Sequence, residues 1–423
     1  MTYSEAIRFL ETQPAGAAPT GGALRAVLAA MGDPHKACRC IHVAGTNGKG
    51  SVSAMLDSVL RCAGYRVGRF ISPSILRFND RIALNGEPIS DDALATATAR
   101  LADAMNTAGV ELNSFERVTA LAFAYFAAEK VDLVVLEVGL GGRLDPTNCI
   151  EESLLSIITG IDFDHTRLLG NTLQAIAAEK AGIIKNGGTV LYGGRDNSAV
   201  RTVASIAGLR HAKLYTVDRS RLQLLEMTLQ GTRLSFSPYD DLFLPLLGTY
   251  QPRNAATALT AIELLVAGGL TIPEQAIREG MSSVRWRGRF ELLSKESPVL
   301  LFDGAHNVQG VRFAVDSLRT YFPETRVHLL TGVMADKSYD EMIEVLKPIA
   351  SRVYTVPADD TARTLSSAAY AAHFSAHRIP ATAYASVKEG LAAARENAAL
   401  DGAPILALGS LHLYAPLLAA LEV

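Results

Sequence analysis

The chain has 423 residues, 49% hydrophobic and 20% charged, which is enough for two or three domains with buried cores. Its 40 Lys and Arg residues against 43 Asp and Glu residues give a net charge of −3, which argues against a dedicated nucleic-acid or polybasic membrane surface. The four cysteines form no Cys-x-x-Cys pair, and no apolar run reaches the roughly 18 residues of a membrane span. The sequence therefore predicts a soluble cytoplasmic protein.

Alternating β-rich and helical patterns occupy the first two-thirds of the chain, and they predict βαβ units on a mostly parallel sheet. The predicted elements are, in chain order, strand 40–44, helix 51–63, strand 66–71, helices 91–108 and 115–129, strands 131–138 and 154–159, and helix 172–184. Residues 222–237 alternate around Gln230-Gly231 instead, which predicts an antiparallel hairpin. Helices are expected after Pro252 and Pro273.

A domain boundary is expected near residues 286–298, because Arg-rich and then polar sequence precedes a new strand there. The αβ alternation then restarts, with strands predicted at 299–302, 327–331, 352–356 and 405–408. The sequence thus predicts an α/β fold with a larger domain at residues 1–290 and a smaller C-terminal α/β domain at 291–423.

The segment VAGTNGKGS, residues 43–51, follows a predicted strand and opens a predicted helix, as a phosphate-binding loop does. Its glycines allow backbone N–H groups to surround phosphate oxygens, and the helix N-terminus adds its positive dipole end. Lys49 is placed to reach the terminal phosphates, and Ser51 to meet Mg²⁺. The pattern departs from G-x-x-x-x-G-K-[ST], so an ordinary glycine-rich turn remains the alternative.

Further polar residues lie near or after predicted strand ends, where an open α/β sheet binds its ligands. Glu137 is a candidate Mg²⁺ ligand, with an ion pair to Arg143 as the alternative. Asp162, Asp164 and His165 follow the next strand and are candidates for a second metal or phosphate contact. Considered alone, Lys180 is predicted to be a solvent-exposed lysine on a helix.

Two segments near the domain boundary complete the pattern. RWRGRF, residues 285–290, offers arginines for a triphosphate, and FDGAHN, residues 302–307, places Asp303 and His306 after a strand. Residue chemistry alone therefore predicts Mg²⁺-dependent phosphoryl transfer in a two-domain enzyme.

The whole chain resembles the folylpolyglutamate synthase/dihydrofolate synthase branch of the Mur ligase superfamily. The segments that carry the resemblance are GTNGKGS, SPSILRFNDRI, SFERVTALAF, EVGLGGRLDPTN, DHTRLLGNTLQAIAAEKAGI, RWRGRF and FDGAHN. It implies a P-loop Mur-ligase-like nucleotide-binding domain and an ATP-dependent amide ligase. In that reaction ATP converts a pterin carboxylate into an acyl phosphate, which the amine of L-glutamate attacks.

The resemblance also implies residue roles. Phosphate and nucleotide contacts fall on Gly45, Thr46, Asn47, Gly48, Lys49, Gly50, Ser51, Asn254, Arg289 and Asp303. Mg²⁺ ligands fall on Ser51, Ser72, Glu137, His165 and Lys180, with Lys180 carbamylated. The catalytic residues are Lys49, His165, Lys180 and His306, and the pteroate contacts are Asn113, Ser114, Phe115, Glu116, Leu144, Asp145 and Pro146.

The implied partners are ATP, Mg²⁺, L-glutamate, and dihydropteroate or reduced folates, bound by a monomer without nucleic acid or membrane. Three alternatives stay open: a monofunctional folylpolyglutamate synthase, a Mur-type ligase for another carboxylate, and a catalytically inactive nucleotide-binding module. The last would be expected to lack Lys49, Glu137 or His165, and all three are present.

Overall fold

The computed structural model describes residues 1–13, 22–358 and 363–421. Two compact units divide the chain. The first comprises Met1–Leu222 and Arg253–Val284, and the second comprises Gln223–Pro252 and Arg285–Val423. The predicted fold class, α/β with mostly parallel sheets, is confirmed.

The first unit is built on an eight-stranded sheet flanked by helices. Its strands are β1 (Cys40–Ala44), β2 (Val67–Phe70), β3 (Ile82–Leu84), β4 (Glu87–Pro88), β5 (Leu133–Glu137), β6 (Leu155–Ile158), β7 (Thr189–Tyr192) and β8 (Lys213–Thr216). Its helices are α1 (Tyr3–Glu11), α2 (Gly22–Ala30), α3 (Lys49–Cys62), α4 (Asp91–Ala108), α5 (Ser114–Ala128), α6 (Thr166–Leu169), α7 (Leu173–Ala181), α8 (Asn197–Leu209), α9 (Gln251–Ala267) and α10 (Glu274–Ser283).

The strand order β4-β3-β2-β5-β1-β6-β7-β8 places β1 at the centre, between β5 and β6. The pairs β2–β5, β5–β1, β1–β6, β6–β7 and β7–β8 are parallel. At one edge, β3 pairs antiparallel with both β2 and β4. Every residue of β1, β5 and β6 is buried, as a parallel sheet covered on both faces requires. The carboxyl ends of these three strands therefore meet at one edge of the sheet.

The second unit contains two sheets. The first, in the order β11-β10-β9, consists of β9 (Leu222–Thr228), β10 (Gly231–Phe236) and β11 (Tyr239–Leu244). The second, in the order β12-β13-β17-β14-β15-β16, consists of β12 (Glu291–Ser294), β13 (Leu300–Asp303), β14 (Val327–Thr331), β15 (Ala350–Thr355), β16 (Ala381–Ala383) and β17 (Ile405–Leu408). Its helices are α11 (Val308–Tyr321), α12 (Tyr339–Leu346), α13 (Ser367–Ala376), α14 (Val387–Asp401) and α15 (Tyr414–Leu421).

The division of the chain differs from the expected domains at 1–290 and 291–423. Residues 223–252 group with the C-terminal unit, and the later division falls at 284/285. The physical reason lies in contacts that follow the hairpin: the Gly248 N–H donates to the Tyr321 hydroxyl at 3.1 Å, and the Thr249 N–H to Ser317 Oγ at 2.9 Å. The alternation at 222–237 predicts the hairpin but carries no information about these partners.

Candidate active site

The loop between β1 and α3 contains two glycines in conformations that leave no room for a side chain. Gly45 and Gly48 have φ values of 149° and 89°, which side chains rarely adopt. A Cβ atom on Gly45 would lie 2.0 Å from Thr159 Oγ1, and one on Gly48 would lie 2.6 Å from Asn254 Oδ1. Both positions therefore require glycine, and the loop is more specialised than an ordinary strand-to-helix turn.

The segment after β6 fixes the loop through hydrogen bonds. The Thr46 N–H donates to the Gly160 carbonyl oxygen at 2.8 Å, and the Thr46 hydroxyl contacts the Asp162 backbone oxygen and nitrogen at 3.1 Å each. Thr159 Oγ1 donates to the Asn47 carbonyl oxygen at 2.7 Å. Thr159 was not among the residues predicted from the sequence to have a role, although it directly follows a buried strand at this edge of the sheet.

Lys49 and Ser51 lie at the start of α3. Gly48 caps the helix without a side chain, so the first helical N–H groups remain directed toward the loop. Lys49 Nζ contacts the carbonyl oxygens of Gly45 at 3.1 Å and Thr46 at 3.3 Å. Gly50 separates Lys49 from Ser51, which is buried. The helix dipole and the ammonium together favour an anion at this point.

Lys180 on α7 reaches the same loop. Its side chain is 5% exposed, and Nζ donates to the Gly45 carbonyl oxygen at 3.0 Å. Burial, reinforced by the Lys49 charge, lowers the pKa of Lys180 to about 7, although Asp164 and Asp145 act in the opposite direction. A solvated helix lysine is thereby excluded, because this amine is buried and substantially neutral near pH 7.

Glu137 ends β5 and His165 follows β6, the two strands that flank β1. Glu137 is the last residue of β5, 4% exposed, and lies opposite Val43 in the register with β1. His165 precedes α6 in a left-handed conformation with φ of 49°, and its Nε2 lies 3.8 Å from Asp164 Oδ1. Arg143, the alternative partner proposed for Glu137, donates from Nε and Nη2 to Glu179 Oε1 at 3.1 and 2.9 Å.

The donor set suits Mg²⁺ bound together with phosphates. Among residues 1–13, 22–358 and 363–421, no group of three His, Cys, Asp or Glu side chains forms a complete metal cage. Mg²⁺ is commonly bound by one or two carboxylates, while substrate phosphates and waters supply the remaining oxygens. The buried Glu137 carboxylate and the Ser51 hydroxyl are oxygen donors of this kind. Ser72 follows β2, the neighbour of β5, at the same edge.

The first predicted pteroate segment forms the beginning of α5. Asn113 and Glu116 make a reciprocal capping box, with the Glu116 N–H donating to Asn113 Oδ1 at 2.9 Å and the Asn113 N–H donating to Glu116 Oε2 at 3.0 Å. Burial raises the pKa of Glu116. Ser114 Oγ accepts from Gln13 Nε2 at 2.5 Å, and the Phe115 ring lies 5.9 Å from that of Phe70. These four side chains anchor the helix and its first turn.

The second predicted pteroate segment divides into a structural and an exposed part. Asp145 is buried, and its carboxylate accepts from the Leu140 N–H at 2.8 Å and the Thr147 N–H at 3.0 Å. Burial raises the pKa of Asp145 despite these hydrogen bonds. Pro146 begins the short helical turn that follows, whereas Leu144 is 69% exposed. Asp145 therefore shapes this loop, and Leu144 is the side chain that the loop presents.

The polar residues of the second unit meet at the end of β13. Asp303 is 4% exposed, and its carboxylate accepts from the Tyr250 hydroxyl at 2.9 Å, the Phe290 N–H at 3.0 Å and the Ala305 N–H at 2.8 Å. Burial raises the pKa of Asp303, and the Arg289 charge opposes this. His306 Nδ1 lies 2.8 Å from the Gly304 carbonyl oxygen. The sequence reading missed Tyr250, although it stands four residues before Asn254.

Two family models match the chain. The Mur ligase middle domain matches residues 43–262, and the Mur ligase glutamate ligase domain matches residues 288–411. The chain is 39% identical over 350 residues to the dihydrofolate synthase/folylpolyglutamate synthase of Bacillus subtilis, covering 80% of this chain and 81% of that protein. It is 36% identical over 426 residues to the folylpolyglutamate synthase of Lacticaseibacillus casei, covering 98% and 97%.

Solved structures of similar proteins have the same fold as this chain over nearly its full length. FolC of Escherichia coli in complex with DHPP and ADP superposes with a TM-score of 0.87 at 29% identity, covering 100% of this chain and 98% of that one. The Mycobacterium tuberculosis folylpolyglutamate synthase complexed with ADP superposes with a TM-score of 0.89 at 28% identity, covering 99% and 98%. In the described part of this chain, no helix is long and apolar enough to cross a membrane.

Proposed function

Because the chain belongs to the folylpolyglutamate synthase/dihydrofolate synthase family of Mur ligases, we propose that it joins L-glutamate to dihydropteroate and to reduced folates. The chain is an ATP-dependent acid–amino-acid ligase, with ATP and Mg²⁺ as its cofactors. The observation that carries the proposal is the convergence of Lys49 and Lys180 on the Gly45 carbonyl oxygen, within a loop whose glycines admit no side chain. The Lys49 ammonium and the N–H groups at the N-terminus of α3 suit a polyphosphate.

The reaction begins with attack of the pterin carboxylate on the γ-phosphorus of ATP, which forms an acyl phosphate and releases ADP. The glutamate amine then attacks the acyl carbon and loses a proton, and inorganic phosphate departs from the tetrahedral intermediate. Residues 45–51 hold the phosphates, and the Lys49 ammonium balances charge on the transferred group. Asn254, whose Oδ1 lies against Gly48, contacts the nucleotide.

Ser51, Ser72, Glu137 and His165 hold Mg²⁺ in this proposal. Bound Mg²⁺ neutralises phosphate charge. Lys180 joins them after carbamylation, in which the neutral amine forms an N–C bond to CO₂ and releases a proton. Its pKa of about 7 supports this step, since an amine with the usual pKa of 10.5 is almost wholly protonated at neutral pH. The product is an anionic carbamate in place of a cation.

The remaining roles follow the division of the chain. The first unit binds ATP and the pterin acid, with residues 113–116 and 144–146 at the acid. In the second unit, Arg289 and Asp303 contact the nucleotide, and His306 lies near the glutamate and the acyl phosphate. The buried position of Asp303 supports an indirect contribution, because its carboxylate accepts from the N–H groups of Phe290 and Ala305, which are the neighbours of Arg289 and His306. We propose that the enzyme acts as a cytoplasmic monomer, which sedimentation analysis tests.

Product analysis by mass spectrometry tests this function. The purified chain is incubated with ATP, glutamate and either dihydropteroate or tetrahydrofolate, and the two-activity proposal requires a mass gain of one glutamate residue with each acid. A gain with tetrahydrofolate alone identifies a monofunctional folylpolyglutamate synthase. A gain with neither acid, but with a muramyl precursor, identifies a different Mur-type ligase. ATP binding without turnover on any acid identifies an inactive module.

A further inference from the structure

Four exposed apolar side chains lie on the two segments that contain or follow the candidate metal ligands Glu137 and His165. In the described part of the first unit, Leu140, Leu144, Phe163 and Leu168 are 38%, 69%, 51% and 71% exposed. The first two follow β5 and the second two follow β6, so both pairs lie at the edge of the sheet that holds the phosphate loop. Exposed apolar surface surrounded by polar residues commonly marks a ligand site.

Both loops are tied to the phosphate site by hydrogen bonds. Asp162, the neighbour of Phe163, is bonded through its backbone to the Thr46 hydroxyl. On the other loop, the Arg143 N–H donates to the Glu179 carbonyl oxygen at 2.7 Å, next to Lys180 on α7. The backbone that carries these apolar side chains is therefore hydrogen-bonded to the phosphate loop on one segment and to α7 on the other.

The side chains of Phe163 and Leu168 take no part in the polar contacts described above, which hold the site together. The Phe163 N–H donates to Asp162 Oδ1 at 2.7 Å, so its backbone is engaged while its ring stays half exposed. Leu168 lies on the four-residue helix α6, whose next residue, Leu169, is buried in the core. A packing role accounts for Leu169 but not for Leu168.

The chemistry of the two acceptor acids gives these side chains a use. In dihydropteroate the reacting carboxylate is attached directly to a benzene ring, so the ring must lie beside the phosphate site when the carboxylate reaches the γ-phosphorus. In a folate the reacting carboxylate belongs to glutamate, and the ring is displaced outward by the length of that residue. An apolar wall beside the phosphate site therefore favours the first acid over the second.

We propose that Phe163 and Leu168 form an apolar wall for the aromatic ring of an aryl carboxylate acceptor, and thereby determine the preference for dihydropteroate over folates that already carry glutamate. This inference rests on the proposed function. It adds to that function two side chains, which bind the acceptor and take no part in the chemistry.

The test compares Phe163→Ser and Leu168→Ser with Phe163→Leu, which keeps an apolar side chain, and with Leu209→Ser. Leu209 is 78% exposed at the end of α8 and is the matched control. Steady-state KM values are measured for dihydropteroate, tetrahydrofolate, ATP and glutamate, and the melting temperature of each variant is recorded. Loss of a large apolar contact corresponds to about a tenfold change in affinity.

Both serine variants are expected to raise the KM for dihydropteroate about tenfold. The KM for tetrahydrofolate should change less than about threefold, and the values for ATP and glutamate should stay unchanged. Phe163→Leu should restore most of the affinity, and Leu209→Ser should behave as wild type. Unchanged KM values for dihydropteroate, or equal rises for all substrates in folded variants, would overturn the proposal while leaving the ligase function intact. A wild-type enzyme inactive with both acids would instead refute the proposed function itself.

Discussion

Lys180 Nζ donates a hydrogen bond to the carbonyl oxygen of Gly45 at 3.0 Å, so a buried lysine of α7 lies directly against the first glycine of the phosphate loop. Lys49 Nζ contacts the same oxygen at 3.1 Å. Burial is the main cause that lowers the pKa of Lys180, and the nearby Lys49 charge lowers it further. The site is therefore poised to have one of its two amines neutral or converted to an anion.

Replacement of Lys180 tests the proposed carbamate. Lys180→Ala is expected to reduce kcat by at least about 100-fold, because a catalytic group loses its position near the transferred phosphate. Acetate or another short carboxylate should restore part of the activity by occupying the space left by the carbamate. The exposed Lys36, replaced by Ala, is the control, and its activity should not respond to acetate. Failure of every short carboxylate to restore Lys180→Ala would count against a carbamate at this position.

Gly48 and Gly64 both have a φ of 89°. Replacing each of them by Ala therefore distinguishes the effect of backbone strain from the loss of nucleotide binding. Gly48→Ala and Gly64→Ala should each destabilise the protein by about 1 kcal/mol, because a side chain is strained in this conformation. A Cβ on Gly48 also meets Asn254 Oδ1 at 2.6 Å, whereas nothing lies within 4 Å of one on Gly64. Calorimetric titration with AMPPCP should show weaker binding, by about tenfold, only for Gly48→Ala. Equal affinities in the two variants would show that the loop tolerates a side chain.

The sequence predicted several elements of both units closely, because the hydrophobic periodicity and the local end signals agree there. The strand at Cys40–Ala44 and the helix at Asp91–Ala108 have the predicted bounds. The strands at Val327–Thr331 and Ile405–Leu408 do as well. Continuous apolar runs and glycine loops are local features, and no distant partner is needed to recognise them.

What the sequence could not predict depends on contacts between distant residues. The hydrogen bond from Tyr250 to Asp303 joins residues 53 positions apart, and no local pattern indicates it. The same holds for the placement of residues 223–252 in the second unit. The depressed pKa of Lys180 is another example, since helix periodicity alone would leave this lysine in solvent.

His42 should make the stability of the first unit depend on pH. It lies wholly buried on β1, and burial holds its pKa well below 6.5, so it stays neutral in the folded state. The unfolded chain binds an extra proton as the pH falls below 6.5, so stability falls by up to about 1.4 kcal/mol per pH unit. Urea unfolding of His42→Asn between pH 5 and 7 should lack this contribution.

His211, which is exposed, provides the matched control for this slope. His211→Asn should retain the full wild-type dependence on pH, because the buried His42 is intact in this variant. If His42→Asn shows the same loss of stability as the wild type between pH 6.5 and 5, then His42 is not the group responsible.

Asp303 is expected to act chiefly through the structure of the second unit. Asp303→Ala leaves the Tyr250 hydroxyl and the N–H groups of Phe290 and Ala305 without their acceptor, which should cost about 3 kcal/mol in the free energy of unfolding. Tyr250→Phe removes one donor and should cost about 1 kcal/mol. Chemical unfolding measures both, with the exposed Asp316→Ala as control. Normal stability of Asp303→Ala, combined with lost ATP affinity, would point to direct nucleotide contact instead.

The central claim is that the acid is activated as an acyl phosphate before glutamate attacks. Dihydropteroate labelled with ¹⁸O in its carboxylate, turned over with ATP and glutamate, tests this through the isotopic composition of the released inorganic phosphate. The account predicts transfer of one labelled oxygen to phosphate in each turnover, and no labelled phosphate from Lys49→Ala. Complete retention of ¹⁸O in the pterin fraction, with unlabelled phosphate, would contradict it.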